Sequence, residues 1–179
     1  MKEEKVVSNK ILVTYASRAG STMEVAQAIG RTLGEDRAQV DVIPMQEVKD
    51  LSPYQAVIVG SAIRKSKWLP EAIQFVRAHQ ETLRHKPLAM FTVCITLAML
   101  NGKQYRSAVA GWTAPVRALV RPLSEGLFAG LLDFNKLPIN WDTLKLRAAV
   151  AAGIFPRGDH RDWTAIRAWA ESLKPMLGI

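Results

Sequence analysis

Cysteine is nearly absent. One thiol, Cys94, in 179 residues excludes an internal disulfide, and three scattered histidines do not make a zinc site. No apolar run approaches the roughly 18 residues that a membrane-spanning helix needs. The opening Met1-Lys-Glu-Glu-Lys5 is mixed in charge and leads to no apolar stretch, so nothing there reads as a secretory leader. Together these absences lead us to expect a cytoplasmic protein. Acidic residues are also short: 16 Asp and Glu face 24 Lys and Arg, a formal net charge of +8. A basic surface suits an acidic partner, an anionic substrate or an anionic membrane face. Nucleic acid is disfavoured, because no Lys/Arg run, RNP-like aromatic motif or Cys/His finger accompanies the charge. Also missing are a Ser/His/Asp constellation, a close carboxylate pair and metal-ligand spacing, so hydrolytic or acid–base catalysis has no candidate residues. His79, His85 and His160 read as surface groups.

What is present is an ordinary globular composition, 49% hydrophobic, with enough chain for a core. Residues 1–10 read as an amino-terminal extension and 11–179 as one domain, with no repeat or linker. A β-branched and aliphatic run opens at Ile11, and helical periodicity follows from Thr22 to Leu33. Strands are expected over Gln39 to Ile43, Ala56 to Val59, Leu88 to Ile95 and Gly126 to Gly130. Pro70 opens a helix that runs to Leu83. Gln104 to Val120 is helical with a break or kink at Gly111 and Pro115, and a last helix from Asp162 to Leu173 is capped by Asp159 or Asp162. Strands alternating with helices make a parallel sheet covered on both faces, an α/β fold. With five strands the order 2-1-3-4-5 is favoured, and the ligand belongs at the carboxyl ends, beside the switch point between strands 1 and 3.

The loop after the first strand is Ser17-Arg18-Ala19-Gly20-Ser21-Thr22. A strand–loop–helix junction aims unpaired backbone N–H groups and the positive end of a helix dipole at one spot. Three hydroxyls add donors, and Gly20 lets the backbone come close to a ligand. A Walker A loop requires Lys, and a dinucleotide fingerprint requires three glycines; neither is met. The remaining fit is a terminal phosphomonoester among neutral donors, against the plainer alternative of a capped helix after a buried strand. After the third strand comes Ser61-Ala62-Ile63-Arg64-Lys65-Ser66-Lys67-Trp68, small residues followed by cations and one Trp. The fourth strand runs into Val93-Cys94-Ile95-Thr96, where Cys94 reads as a buried, inert thiol. On the predicted topology these three loops meet.

Tyr15-Ala-Ser-Arg-Ala-Gly-Ser-Thr22 resembles the FMN phosphate loop of flavodoxin-like proteins. Val59-Gly-Ser-Ala-Ile-Arg64 and the ending Gly158-Asp-His-Arg-Asp-Trp-Thr-Ala-Ile-Arg-Ala-Trp169 extend the resemblance from Ile11 to about Leu173. They are similar to the flavodoxin-domain family, in the branch that includes menaquinone-dependent protoporphyrinogen dehydrogenase. The resemblance implies a flavodoxin-like fold with FMN as cofactor and the flavin carrying the chemistry. It implies the phosphate on residues 17–22, and the ring against Ser61, Ala62, Ile63, Arg64, Lys67 and Trp68 on one side and Val93, Cys94, Ile95 and Thr96 on the other. Trp68 then either lies on the flavin or packs on the start of its own helix, and Arg64 and Lys67 either meet an acidic substrate or are solvated. Two departures stand out. Shuttle flavodoxins are acidic, whereas this chain is basic; and the dehydrogenase's Tyr-Gly-His-Tyr stretch is Lys65-Ser-Lys-Trp68 here. An oxidoreductase with a quinone or redox-protein partner is the implied activity, with an electron carrier or a non-redox phosphate-binding module as rivals.

Between the fifth strand and the last helix lies an insertion, about 131–161. It mixes Trp141, Leu144, Leu146, Val150, Ile154 and Phe155 with Lys136, Lys145, Arg147 and Arg157. From Trp141 to Ala152 it reads as an amphipathic helix with a basic rim. Such a helix either covers the sheet or a homodimer contact, or forms a platform that makes peripheral membrane contact on the cytoplasmic face or admits a quinone.

Overall fold

A computed structural model describes residues 10–35, 38–99, 102–136, 139 and 141–179. The amino-terminal extension up to residue 9, Leu100 at the end of the third loop, and residues 137, 138 and 140 of the insertion lie outside these described residues. Strand β1 (Lys10–Ala16) leads into helix α1 (Ser21–Gly34), followed by β2 (Gln39–Pro44) and β3 (Ala56–Arg64). Then come the two-residue β4 (Lys67–Trp68), helices α2 (Pro70–Ala78) and α3 (Gln80–Arg84), β5 (Leu88–Cys94), α4 (Gly102–Val120) and β6 (Ser124–Ala129). The insertion holds β7 (Leu131–Leu132), α5 (Trp141–Ala151) and β8 (Gly158–Asp159), and α6 (Trp163–Leu177) closes the chain.

Five strands are parallel in the order β2-β1-β3-β5-β6, which counts as 2-1-3-4-5 among the parallel strands. Because each strand is covered on both sides, its side chains split between two cores. Ile11, Val13, Ile58 and Phe91 join Val25 and Ile29 of α1 and Ile166 and Leu173 of α6 on one face. Leu12, Val57, Val59 and Met90 join Phe75 and Val76 of α2 and Val116 and Val120 of α4 on the other. Gly60 is where the central strands need a hydrogen in place of a methyl: a Cβ there would stand 2.0 Å from the Phe91 ring. The register pairs these two residues across β3 and β5.

Several boundaries differ from expectation. β3 continues five residues beyond Val59, because Ser61 to Arg64 go on pairing, first with β5 and then with β4. The helix expected over 70–83 divides at His79, which is half-buried with its ring 4.7 Å from that of Phe75 rather than on the surface; His85 and His160 are exposed. α4 runs unbroken through Gly111 and Pro115. Both residues are exposed, so the carbonyl that Pro115 cannot bond faces solvent. Asp162 caps α6, its Oδ1 accepting the Ala165 N–H at 2.9 Å, and the helix extends four residues past Leu173 to a left-handed Gly178.

Candidate functional site

β1 ends at Ala16 and the chain turns through Ser17 to Gly20 before α1 begins. Gly20 takes φ 84°, a left-handed conformation that suits glycine, and Ser17 Oγ accepts its N–H at 3.1 Å. The first bond of the helix is from Glu24 N–H to the Gly20 carbonyl, 3.0 Å. The amides of Ser21, Thr22 and Met23 therefore precede the ladder, at the positive end of the helix. Glu24 sits in this first turn, where its charge would repel an anion. Its carboxylate is turned to Arg161 (2.7 Å) and Lys136 (3.5 Å), which offset that charge. Ser21 Oγ accepts the Leu131 N–H at 3.2 Å, so this hydroxyl ties the insertion to the helix start.

β3 and β4 form a hairpin: Ile63 pairs with Trp68 and Arg64 with Lys67, leaving Lys65 and Ser66 as a two-residue turn. Its base is fixed by Ser61, whose buried hydroxyl donates to the Ala62 carbonyl (2.8 Å) and accepts the Leu69 N–H (3.1 Å). The hairpin, the turn after β5 and the loop after β1 surround a cavity of about 590 Å³. Arg18, Ala62, Ile63, Arg64, Cys94, Ile95 and Thr96 line it. So do residues absent from the sequence expectation: Lys65, Ser66 and Leu69 of the same hairpin segment, Trp112 of α4, and Asp142, Thr143, Lys145 and Leu146 of α5. Asp142 accepts from Arg64 at 3.0 Å and lies 3.7 Å from Lys65. The Arg64 bond, with Lys65 behind it, holds the Asp142 carboxyl below the usual carboxylate range. Burial pushes the Cys94 thiol up, outweighing its hydrogen bonds with Thr96.

The remaining expected residues are placed differently. Ser17 and Gly20 border a smaller cavity of about 240 Å³ with Tyr15, Met23, Pro44 and Gln46. Ala19 and Ser21 are half-buried, and Thr22, Ser61 and Val93 are buried. Lys67 lies on a groove of about 1020 Å³ that also touches Arg18, Arg64, Lys65 and Arg77. One expectation is corrected. Trp68 is 1% exposed, donates from Nε1 to Thr92 Oγ1 at 2.9 Å and packs in the α2/α4 core, so its ring offers no face to a ligand. Arg64 is exposed and lines the cavity, its guanidinium paired with Asp142. Asp142 left no local signal, since it lies 78 residues away in an insertion whose docking site no periodicity reveals. Trp112 reads as one more apolar position of a helix.

α5 is also corrected. Its apolar residues do not fall on one side: Thr143 is buried and Leu146 and Val150 are half-buried, while Trp141, Leu144, Ala148 and Ala151 are exposed. The helix covers the cavity rather than the sheet.

The flavodoxin domain model matches residues 12–148. Protoporphyrinogen IX dehydrogenase [quinone] of Leishmania major is 27% identical over 132 residues, 72% of this chain and 57% of its own length. The protein of the same name from Escherichia coli K12 is 28% identical over 86 residues, 47% of this chain and 48% of its own. The chain thus spans about half the length of the curated relatives it matches. Among solved structures, a short-chain flavodoxin associated with a non-canonical PDU bacterial microcompartment superposes with a TM-score of 0.59 at 12% identity, covering 94% of this chain and 98% of that one. With the sheet order, the glycine-started α1 and a domain match across more than half of its residues, this chain belongs to the flavodoxin domain family and is a flavodoxin-like flavoprotein.

Proposed function

We propose that the protein binds FMN and acts as an oxidoreductase, passing electrons from an organic donor to a quinone or redox-protein acceptor, in the cytoplasm. The observation that carries this reading is the meeting of three carboxyl-end loops on one cavity, the first of them, which contributes Arg18, running into the amides that open α1. The residues present fit the cofactor. The amides of Ser21, Thr22 and Met23, with Glu24 already compensated by Arg161 and Lys136, suit a phosphomonoester. A cavity of about 590 Å³ walled by Ile63, Ile95, Trp112 and Leu146 has the size and apolar character of a small-molecule site. When bound, FMN supplies the redox chemistry, and the protein supplies position and electrostatics.

In that arrangement the α1 amides would hold the phosphate, and the backbone of Ala62, Ile63, Ile95 and Thr96 would flank the ring. Arg18, Arg64 and Lys65 set a positive potential at the cavity, and Trp112 and Leu146 keep water from its inner wall. A quinone as acceptor is taken from the names of the two relatives. Because Lys65 to Trp68 depart from the dehydrogenase's pattern, the donor is left as an organic one.

The test is the visible spectrum of the purified protein, followed by titration of flavin-free protein with FMN and a steady-state assay with a quinone. Flavin absorbance and quinone-dependent turnover of a donor are expected. A colourless protein that takes up no FMN overturns the reading, and bound FMN without donor-dependent turnover would make the protein a carrier.

A further inference from the structure

Beside the cavity runs the groove of about 1020 Å³ along α2. The two share Arg18, Arg64, Lys65 and Leu69 in their walls. Five cations line the groove, Arg18, Arg64, Lys65, Lys67 and Arg77, and no carboxylate does. Two carboxylates reach this set from outside: Glu71 accepts from Arg18 at 3.1 Å, and Asp142 pairs with Arg64 and Lys65. Lys67 and Arg77 are exposed and have no acidic partner among the described residues. Arg77 stands in the last turn of α2, where the helix dipole favours a cation. Lys67 has no such account. It sits directly across the hairpin from Arg64, and like charges placed opposite each other destabilise a pair of strands. Asp142 offsets Arg64 in that pair; nothing among the described residues offsets Lys67.

Charge and lining identify the occupant. Pro70, Ile73 and Ala78 give the groove apolar contacts alongside its cations. None of the three is an exposed large hydrophobic residue, so nothing here enters a lipid interface. Trp68, the one aromatic of the groove, is 1% exposed, so no ring is free for a nucleic-acid base to stack on. What fits is a run of carboxylates with an apolar side chain among them. α2 has nine residues and is about 13 Å long, a length that about four extended residues span. We infer that the groove along α2 docks an acidic segment on the surface of a redox-protein partner, with its carboxylates on Lys67 and Arg77. The shared walls bring that partner to the mouth of the cavity. Its being a redox protein rests on the oxidoreductase reading above, whereas the docking needs no flavin. Complementary charge of this kind steers encounter and fixes orientation more than it adds affinity, so the complex is sensitive to salt.

The full chain is titrated with a two-iron ferredoxin of net negative charge and, as the opposite-charge control, with a basic cytochrome c, each at low and at high salt. Binding of the ferredoxin at low salt, its loss at high salt and no binding of the cytochrome are expected. Lys67→Gln/Arg77→Gln should weaken ferredoxin binding about tenfold, with unchanged circular dichroism. Arg31→Gln/Arg167→Gln removes the same charge from exposed positions of α1 and α6, which cover the other face of the sheet from α2. That variant should bind within about twofold of the unaltered protein. Equal losses in the two variants would reduce the effect to net charge and overturn the inference, as would absence of ferredoxin binding or binding that the groove variant leaves unchanged. Displacement of the ferredoxin by citrate at constant ionic strength would give the groove to a small polyanion instead. Tighter binding of a single-stranded oligonucleotide, lost in the groove variant, would give it to nucleic acid; either result overturns the inference. Flavin absorbance is read in the same samples: colourless protein that still binds the ferredoxin would sink the oxidoreductase reading and leave the docking surface standing.

Discussion

At Lys65 and Ser66 the backbone enters the left-handed region, with φ of 49° and 58°. Side chains bearing a Cβ occupy that region at a cost on the order of 1 kcal/mol each. A two-residue hairpin turn with both central φ positive is normally built from Asn-Gly or Gly-Gly, and this chain spends Lys and Ser there, at the edge of its cavity. Ser66→Gly should therefore raise stability by on the order of 0.5–1 kcal/mol, less than the full relief because glycine also loosens the unfolded chain. The urea midpoint, at constant m-value, reads it; a lower midpoint would mean that Ser66 makes a contact worth more than the backbone strain. The same pair explains why the hairpin was illegible in the sequence: Lys-Ser carries no turn signal. Without the hairpin, the side to which Trp68 turns is undetermined. Pairing with Ile63 settles it, sending the indole inward to Thr92.

At the scale of elements, the five parallel strands and their order were legible, since continuous apolar runs alternate with helical periods and the topology admits few alternatives. What lay beyond reach are pieces whose existence depends on distant partners. β7 and β8 have two residues each and pair antiparallel, Leu131 with Asp159 and Leu132 with Gly158. They are held to α1 by Ser21 and by Arg161, whose side chain is 4% exposed between Glu24 (2.7 Å) and Asp159 (2.6 Å) and whose guanidinium lies 4.5 Å from the centre of the Trp163 ring. The Asp159 bond leads the interactions that hold the Arg161 guanidinium above its ordinary range, and Arg161 in turn lowers the Asp159 carboxyl. Arg161→Ala removes the centre of this clasp. Glu24 and Asp159 are each about one third or more exposed and regain water, so the expected loss is modest, about 1–3 kcal/mol. It should appear as a lower urea midpoint and as proteolytic cleavage in the insertion ahead of the sheet. Cleavage at the unaltered rate would show that Ser21 and the β7–β8 pairing hold the insertion without the ion pairs.

For the molecule as a whole, the excess of positive charge has a direction as well as a size. Arg18, Arg64, Lys65 and Lys145 line the cavity, and Asp142 is the one carboxylate among its lining residues. Reducing a bound flavin can place negative charge on its ring, which nearby cations stabilise, so the expected outcome is a raised potential for the cofactor the protein is proposed to hold. One unit charge about 10 Å from the ring, at an effective dielectric between that of a protein surface and that of water, contributes on the order of 0.5–1 kcal/mol. For a one-electron step this is about 20–40 mV. Arg64→Gln should accordingly lower the midpoint potential by about that much. Asp142 then loses its 3.0 Å partner and keeps only Lys65 at 3.7 Å, so its negative charge is left less compensated and works in the same direction. Removing both charges in Arg64→Gln/Asp142→Asn should bring the potential back toward that of the unaltered protein, because the pair's opposite charges nearly cancel at a distance. Potentiometric titration at low and high salt separates the contributions, since the exposed pair is screened while a buried contact is not. If Arg64→Gln leaves the potential unmoved at low salt, the cations serve to attract a partner rather than to tune the cofactor. If it raises the potential, the substitution has rearranged the other charges at the cavity, and the account of these cations as the source of a raised potential fails.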